Sequence, residues 1–166
     1  MVKIIGIDPG LSDTGIGIVT GEGLRVKEYS YGTVSTSKHV PLPGRLAKIY
    51  SRLRAILNEE KPHQMIVEEV FSLKQYPTSG ITLGKVTGVI LLAGHQCGVP
   101  VAEVSVRAAK QILTGNGNAD KTQLEKAVRR KLKLQASIRP DHASDALGLA
   151  LIGLYRFKEM QLRGER

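Results

Sequence analysis

Along the first third of the chain the apolar positions crowd into short β-branched runs separated by glycine turns, and beyond residue 44 they spread to a helical period. Ile4-Ile5-Gly6-Ile7 reads as a strand buried on both faces that runs into a single acid, Asp8, and a Pro9-Gly10 turn. Thr14 to Val19 resumes strand character as the second arm of a hairpin, and roughly Arg25–Val34 is a third strand. Ser35 to Gly44, rich in Ser, Thr, Pro and Gly, reads as a loop. From Arg45 onward Leu46, Ile49, Leu53, Ile56 and Leu57 recur at helical spacing until Lys61-Pro62 stops them. Met65-Ile66-Val67 opens a fourth strand that meets Glu68 and Glu69, and Phe71 to Ser79 reads as an exposed loop. A largely apolar helix over Ile81–Gln96 and a short fifth strand over Val99–Val104 follow. Helices around Arg107–Leu113, Lys121–Leu132 and Ala143–Lys158 complete the chain.

Three strands followed by alternating helices and strands predict one α/β domain over residues 1–166, a mixed five-stranded sheet flanked by helices. Its first three strands form an antiparallel meander, and the last two join in parallel through helical crossovers.

Charge narrows the partners. The chain carries 24 Lys and Arg against 15 Asp and Glu, a net +9, which suits a polyanion. Nucleic acid is favoured over an acidic membrane surface, because no basic amphipathic helix carries Trp or Phe. The longest apolar stretch, near Val86 to Ala93, is too short to span a bilayer. Cys97 stands alone, so it reads as a small buried hydrophobe, and a reducing cytoplasmic location is the expectation.

The acids fall at strand and helix ends. If the first and fourth strands are parallel neighbours, their C-terminal ends bring Asp8 and Glu68 together, where open α/β sheets place their sites. Glu69 points to the opposite face. Asp8 alone also fits an Asx-type turn, and Glu68 a solvated strand end. The last helix opens Pro140-Asp141-His142-Ala143-Ser144-Asp145, and the apolar run Ala146 to Ile152 behind it puts Asp145 at a buried end. His142 and Asp145 share a face at i, i+3, as Asp141 and Asp145 do at i, i+4, although Asp141 also suits an N-cap. Carboxylates of this kind hold hard divalent cations, and two such ions support in-line phosphodiester displacement. An acidic site in a basic protein suggests a nuclease.

Between Arg107 and Lys133 lie eight Lys and Arg but only Asp120 and Glu125 as acids, and Lys126, Arg129, Arg130 and Lys133 are expected to face outward. Gly115 to Asn118 reads either as an N–H cradle for phosphate or as a plain loop. The Ile81–Gln96 helix is apolar on too many sides for one wet face. Gly84 and Gly88 suit close approach of a second subunit, and burial against the sheet accounts for part of the same pattern.

Gly6-Ile7-Asp8-Pro9-Gly10, Val67-Glu68-Glu69-Val70-Phe71, Arg107-Ala108-Ala109-Lys110-Gln111, Gly115-Asn116-Gly117, Ala119-Asp120-Lys121 and Asp145-Ala146-Leu147 occur in this order. Together they resemble the RuvC family of bacterial Holliday junction resolvases, over Ile4 to about Tyr155. The resemblance implies a ribonuclease H-like fold and a homodimer with one active site per subunit. It also implies Mg²⁺- or Mn²⁺-dependent, paired symmetric nicking of four-way (Holliday) junction DNA in recombination and repair, with two ions per site during catalysis. Asp8, Glu68 and Asp145 match the family's carboxylates. His142 stands where many members carry Asp, and Asp141 is the alternative; His142 keeps the i, i+3 register and imidazole suits divalent metals, with an advantage for Mn²⁺ as the consequence. By the same resemblance Lys110 and Lys121 meet phosphates near the scissile bond, and Phe71 stacks on an unpaired base, with Tyr76 a weaker second. Contact with the RuvA–RuvB branch-migration motor is implied as well.

Two rivals remain at this level. An actin/Hsp70-like ATPase shares the acid-then-glycine turn, but Gly84-Lys85-Val86-Thr87 lacks the Ser or Thr that a Walker A loop needs after its Lys. A junction-binding module that has lost its chemistry is the other, with His142 as its opening.

Overall fold

The structure, a computed structural model, describes residues 1–70 and 77–162. In chain order the elements are β1 (Val2–Asp8), β2 (Asp13–Glu22), β3 (Arg25–Ser35), α1 (Leu42–Glu60), β4 (Gln64–Glu68), α2 (Pro77–Gln96), β5 (Val101–Val104), α3 (Val106–Thr114), α4 (Lys121–Leu132) and α5 (Asp141–Leu162). One five-stranded sheet has the order β3-β2-β1-β4-β5. β1, β2 and β3 pair antiparallel, while β4 lies parallel to both β1 and β5.

Strand alternation divides the core. Ile5, Ile7, Met65 and Val67 pack with Ile49, Leu53 and Leu57 of α1 and Val86, Ile90 and Ala93 of α2. Ile4 and Ile66, one residue out of phase, pack on the opposite face with α3, α4 and α5. Gly6 and Gly17, paired across β1 and β2, also face α5. A Cβ on Gly6 would fall 2.1 Å from the Ala146 carbonyl oxygen, and one on Gly17 would fall 2.4 Å from Leu147 N. These glycines let α5 lie directly on the strands. The same parity points Asp8 and Glu68 toward α5, which is how the sheet delivers its acids to one face.

Some boundaries move. α1 begins at Leu42, three residues before the helical period starts, because Pro43 and Gly44 sit within its first turn, where a missing N–H costs nothing. α2 begins at Pro77, four residues early, for a related reason. β5 is shorter than expected, since Pro100 precedes it. Cys97 is half-buried in the turn after α2, against the α1–α2 side of the core. Phe71 and Tyr76 lie outside the described residues.

Candidate active site

Asp8 ends β1 and Glu68 ends β4, on adjacent parallel strands whose pairing runs to Ile7↔Val67. Asp8 is 6% exposed although it is an acid. Across the hairpin it pairs with Gly15, where a Cβ would come within 2.0 Å of the His142 carbonyl oxygen. The bare backbone at Gly15 therefore admits the first turn of α5 to the sheet. As a result His142 Nδ1 lies 2.6 Å from Asp8 Oδ2, an imidazole N–H donating to the carboxylate. One turn along α5, Asp145 Oδ2 stands 3.9 Å from Lys121 Nζ.

The electrostatics bind these residues into one site. Burial pushes the Asp8 carboxyl up to about 6, with the His142 hydrogen bond opposing it. Burial, followed by the charges of Asp8 and Asp145, pushes Glu68 up to about 7. Asp145 is also raised, chiefly by burial, with Lys121 as its strongest counterweight. Lys121 lowers all three carboxyls and Lys110 acts on Asp145 from further off, so Lys121 is the resident countercharge.

Lys121 is held there by a capping box. The Asp120 carboxylate accepts from Gln123 N at 2.7 Å, and the Gln123 side chain accepts from Asp120 N at 2.9 Å. A lysine in the first turn opposes the helix dipole. That mismatch beside an Asp-x-x-Gln cap is a signal readable in the sequence, and it marks Lys121 as placed for something other than helix stability. Lys110 lies half-buried on α3.

Other sequence readings resolve at this point. Asp141 accepts from Arg139 Nη1 at 2.6 Å and lies on the Asp145 side of the helix start, so His142 and not Asp141 is the residue brought to Asp8. The N–H groups of Gly115–Asn118 are all taken: by Gln111 O and Thr114 Oγ1 for the first two, and by Gln111 Oε1 and Asn116 Oδ1 for the others. The segment is a self-satisfied turn and not a phosphate cradle. Lys126 and Arg130 on α4 and Lys133 at its C-cap are exposed as expected, but Arg129 is half-buried and pairs with Glu125 at 3.9 Å.

The donor set suits a hard divalent cation: three carboxylates raised chiefly by burial, with an imidazole beside them. Among the described residues no three His, Cys, Asp or Glu groups converge on one point closely enough to grip an ion. Asp8 and His142 hold each other, and Asp145 leans on Lys121, so the donors share one mouth without yet sharing one centre.

The chain matches the family model for crossover junction endodeoxyribonuclease RuvC over residues 4–153. It is 41% identical to the crossover junction endodeoxyribonuclease RuvC of Syntrophomonas wolfei, over 95% of this chain and 91% of that protein. To the protein of the same name from Chloroflexus aggregans it is 39% identical, over 98% and 99% of the two chains. Among solved structures, Thermus thermophilus RuvC in complex with Holliday junction substrate superposes with a TM-score of 0.88 at 32% identity, covering 96% of each chain. The yeast mitochondrial Holliday junction resolvase Ydc2 shares the fold at 13% identity, with a TM-score of 0.62 over 98% of this chain and 81% of that one. With a ribonuclease H-like sheet that carries acids at its strand ends, and matched along almost its whole length, the chain belongs to the RuvC family of crossover junction endodeoxyribonucleases.

Proposed function

We propose that this protein resolves four-way DNA junctions in recombination and repair by paired, symmetric, metal-dependent hydrolysis of phosphodiester bonds. The observation that carries the reading is the gathering of Asp8, Glu68 and Asp145 at one end of the sheet in a protein of net charge +9. Burial pushes these acids toward neutrality, and a bound divalent cation would relieve that cost.

Asp8, Glu68, His142 and Asp145 would hold Mg²⁺ or Mn²⁺, two per site during catalysis. Such ions supply Lewis acidity that activates water and neutralises charge on the leaving oxygen. His142, donating from Nδ1 to Asp8, would keep the Nε2 lone pair free for a metal ion, the arrangement usual for an imidazole ligand. Lys121 offers a positive charge to the scissile phosphate from the mouth of the site, and Lys110 stands behind it. Phe71 stacks on a base freed at the junction centre. The products carry 5′-phosphate and 3′-hydroxyl ends.

The working unit is a homodimer formed through α2. Ile81 and Leu92 on that helix are 62% and 49% exposed, and Gly84 and Gly88 between them leave open space where a side chain would stand. A two-fold dimer presents two such sites to the two opposed strands of a junction. The protein acts in the cytoplasm beside the RuvA–RuvB motor; no helix among the described residues is long and apolar enough to cross a membrane.

The deciding experiment sets a synthetic four-way junction beside a linear duplex of the same sequence, with Mg²⁺, Mn²⁺ or EDTA. Paired nicks in the junction alone, abolished by EDTA, are expected. Tight junction binding with no cleavage in either metal would replace the enzyme with a binding module.

A further inference from the structure

Beside Asp145 the outward faces of α4 and the start of α5 enclose an open cleft of about 260 Å³. Lys121, Lys126 and Arg129 line it from α4, Arg139 from the segment before α5, and Ser144 from the first turn of α5. Three of its cations are matched: Lys121 to Asp145 at 3.9 Å, Arg129 to Glu125 at 3.9 Å and Arg139 to Asp141 at 2.6 Å. Glu125 is engaged further, accepting from Ile138 N at 3.1 Å. Lys126 has no ion-pair partner among the described residues. Ser144 is only 3% exposed, lines the same cleft, and carries a hydroxyl with no hydrogen-bond partner.

An unmatched ammonium and an unsatisfied buried hydroxyl define a demand for an acceptor. Glu125 and Asp141 are engaged by Arg129 and Arg139, and Asp145 belongs to the active site, so the complement left to Lys126 and Ser144 is an oxyanion. Lys121 and Asp145 belong both to this cleft and to the active site, so an anion seated here is a near neighbour of the phosphate being cut.

The geometry points to this cleft as a second phosphate subsite: it seats one backbone phosphate of the cleaved DNA strand adjoining the scissile one. Lys126 is its charge, and Ser144 satisfies the phosphate from below, directly or through one water. The inference rests on the junction-cleaving function. Holding two successive phosphates fixes the strand's direction across the site, which a single contact does not.

The test uses the full-length protein and synthetic junctions in EDTA, where binding is read without cleavage. Single phosphates around the cleavage position are replaced by neutral methylphosphonates. One position beside the scissile phosphate is expected to weaken wild-type binding about fivefold, and the same replacement is expected to cost Lys126→Ala nothing further. Lys126→Ala is also expected to lower the slope of log affinity against log salt by about one, with Lys126→Arg restoring it. Lys48→Ala, an exposed lysine on α1 across the sheet, serves as the charge control with an unchanged slope. Equal methylphosphonate penalties in wild type and Lys126→Ala, or equal salt slopes, would overturn the subsite. Wild-type protein that binds junction no better than linear duplex overturns the function itself, a result distinct from either.

Discussion

Asp8 and Glu68 hold protons in the folded protein at pH values where an unfolded chain has released them, since their carboxyls stand at about 6 and about 7 against 3.8 and 4.5 for unperturbed groups. The fold therefore binds more protons than the unfolded chain across roughly pH 4 to 7. The contribution to stability is complete below that window and is lost as pH rises through the folded values. Glu68→Gln should flatten the curve and raise stability at pH 8 by on the order of 2 kcal/mol while abolishing cleavage. Thermal melts from pH 4 to 8 measure it; a variant as pH-sensitive as wild type refutes the assignment. Protons and cations compete for these oxygens, so Mg²⁺ should raise the wild-type melting temperature more at pH 8 than at pH 5.5. At His142 the expectation is chemical: a Mg²⁺/Mn²⁺ titration should show higher cleavage with Mn²⁺, and His142→Asp should shift that preference toward Mg²⁺. Equal preference before and after the substitution would remove His142 from the ligands.

At the level of elements, the seating of α5 on β1 and β2 decides whether the site exists. Gly6→Ala would drive a methyl carbon into the Ala146 backbone and should cost at least about 2 kcal/mol, read as a fall in the urea midpoint with unchanged m-value. Cleavage should fall with it, because α5 carries both His142 and Asp145. Two helices end on lysines in the left-handed region, Lys61 at φ 46° and Lys133 at φ 56°. Glycine takes that conformation without a Cβ penalty, so Lys61→Gly should stabilise by roughly 0.5–1 kcal/mol, provided the gain exceeds the added freedom of the unfolded chain. A melting temperature unchanged or lowered would show that the lysine relieves its strain in some other way.

At the scale of the whole molecule, the proposed dimer would set two sites on opposed strands of one junction, so subunit association and cleavage pattern would be linked. Leu92→Glu places a charge on the exposed α2 face and should give monomers by light scattering, with isolated nicks in place of paired ones. Dimers persisting in that variant would move the interface elsewhere.

The chain by itself determined the run of strands and helices and the antiparallel and parallel halves of the sheet, and it put Asp8 and Glu68 at strand ends and Asp145 at the head of an apolar helix. These are set by local periodicity and by the cost of an acid at the end of an apolar strand, both of which act over a few residues. Helix starts were less legible at Pro43 and Pro77, because proline marks a loop in the sequence and a first turn in the fold with equal ease. Between Asp141 and His142, which both share a face with Asp145, the sequence favoured His142 by its i, i+3 register and kept Asp141 as the alternative. Only packing separated them: Gly15 admits the start of α5, which turns His142 onto Asp8 and leaves Asp141 to Arg139. The glycine turn at 115–118 and the paired Arg129 likewise took their meaning from hydrogen bonds within the folded chain. Tertiary structure alone decided which polar groups were already satisfied, and so which remain for DNA, because satisfaction depends on neighbours far apart in sequence.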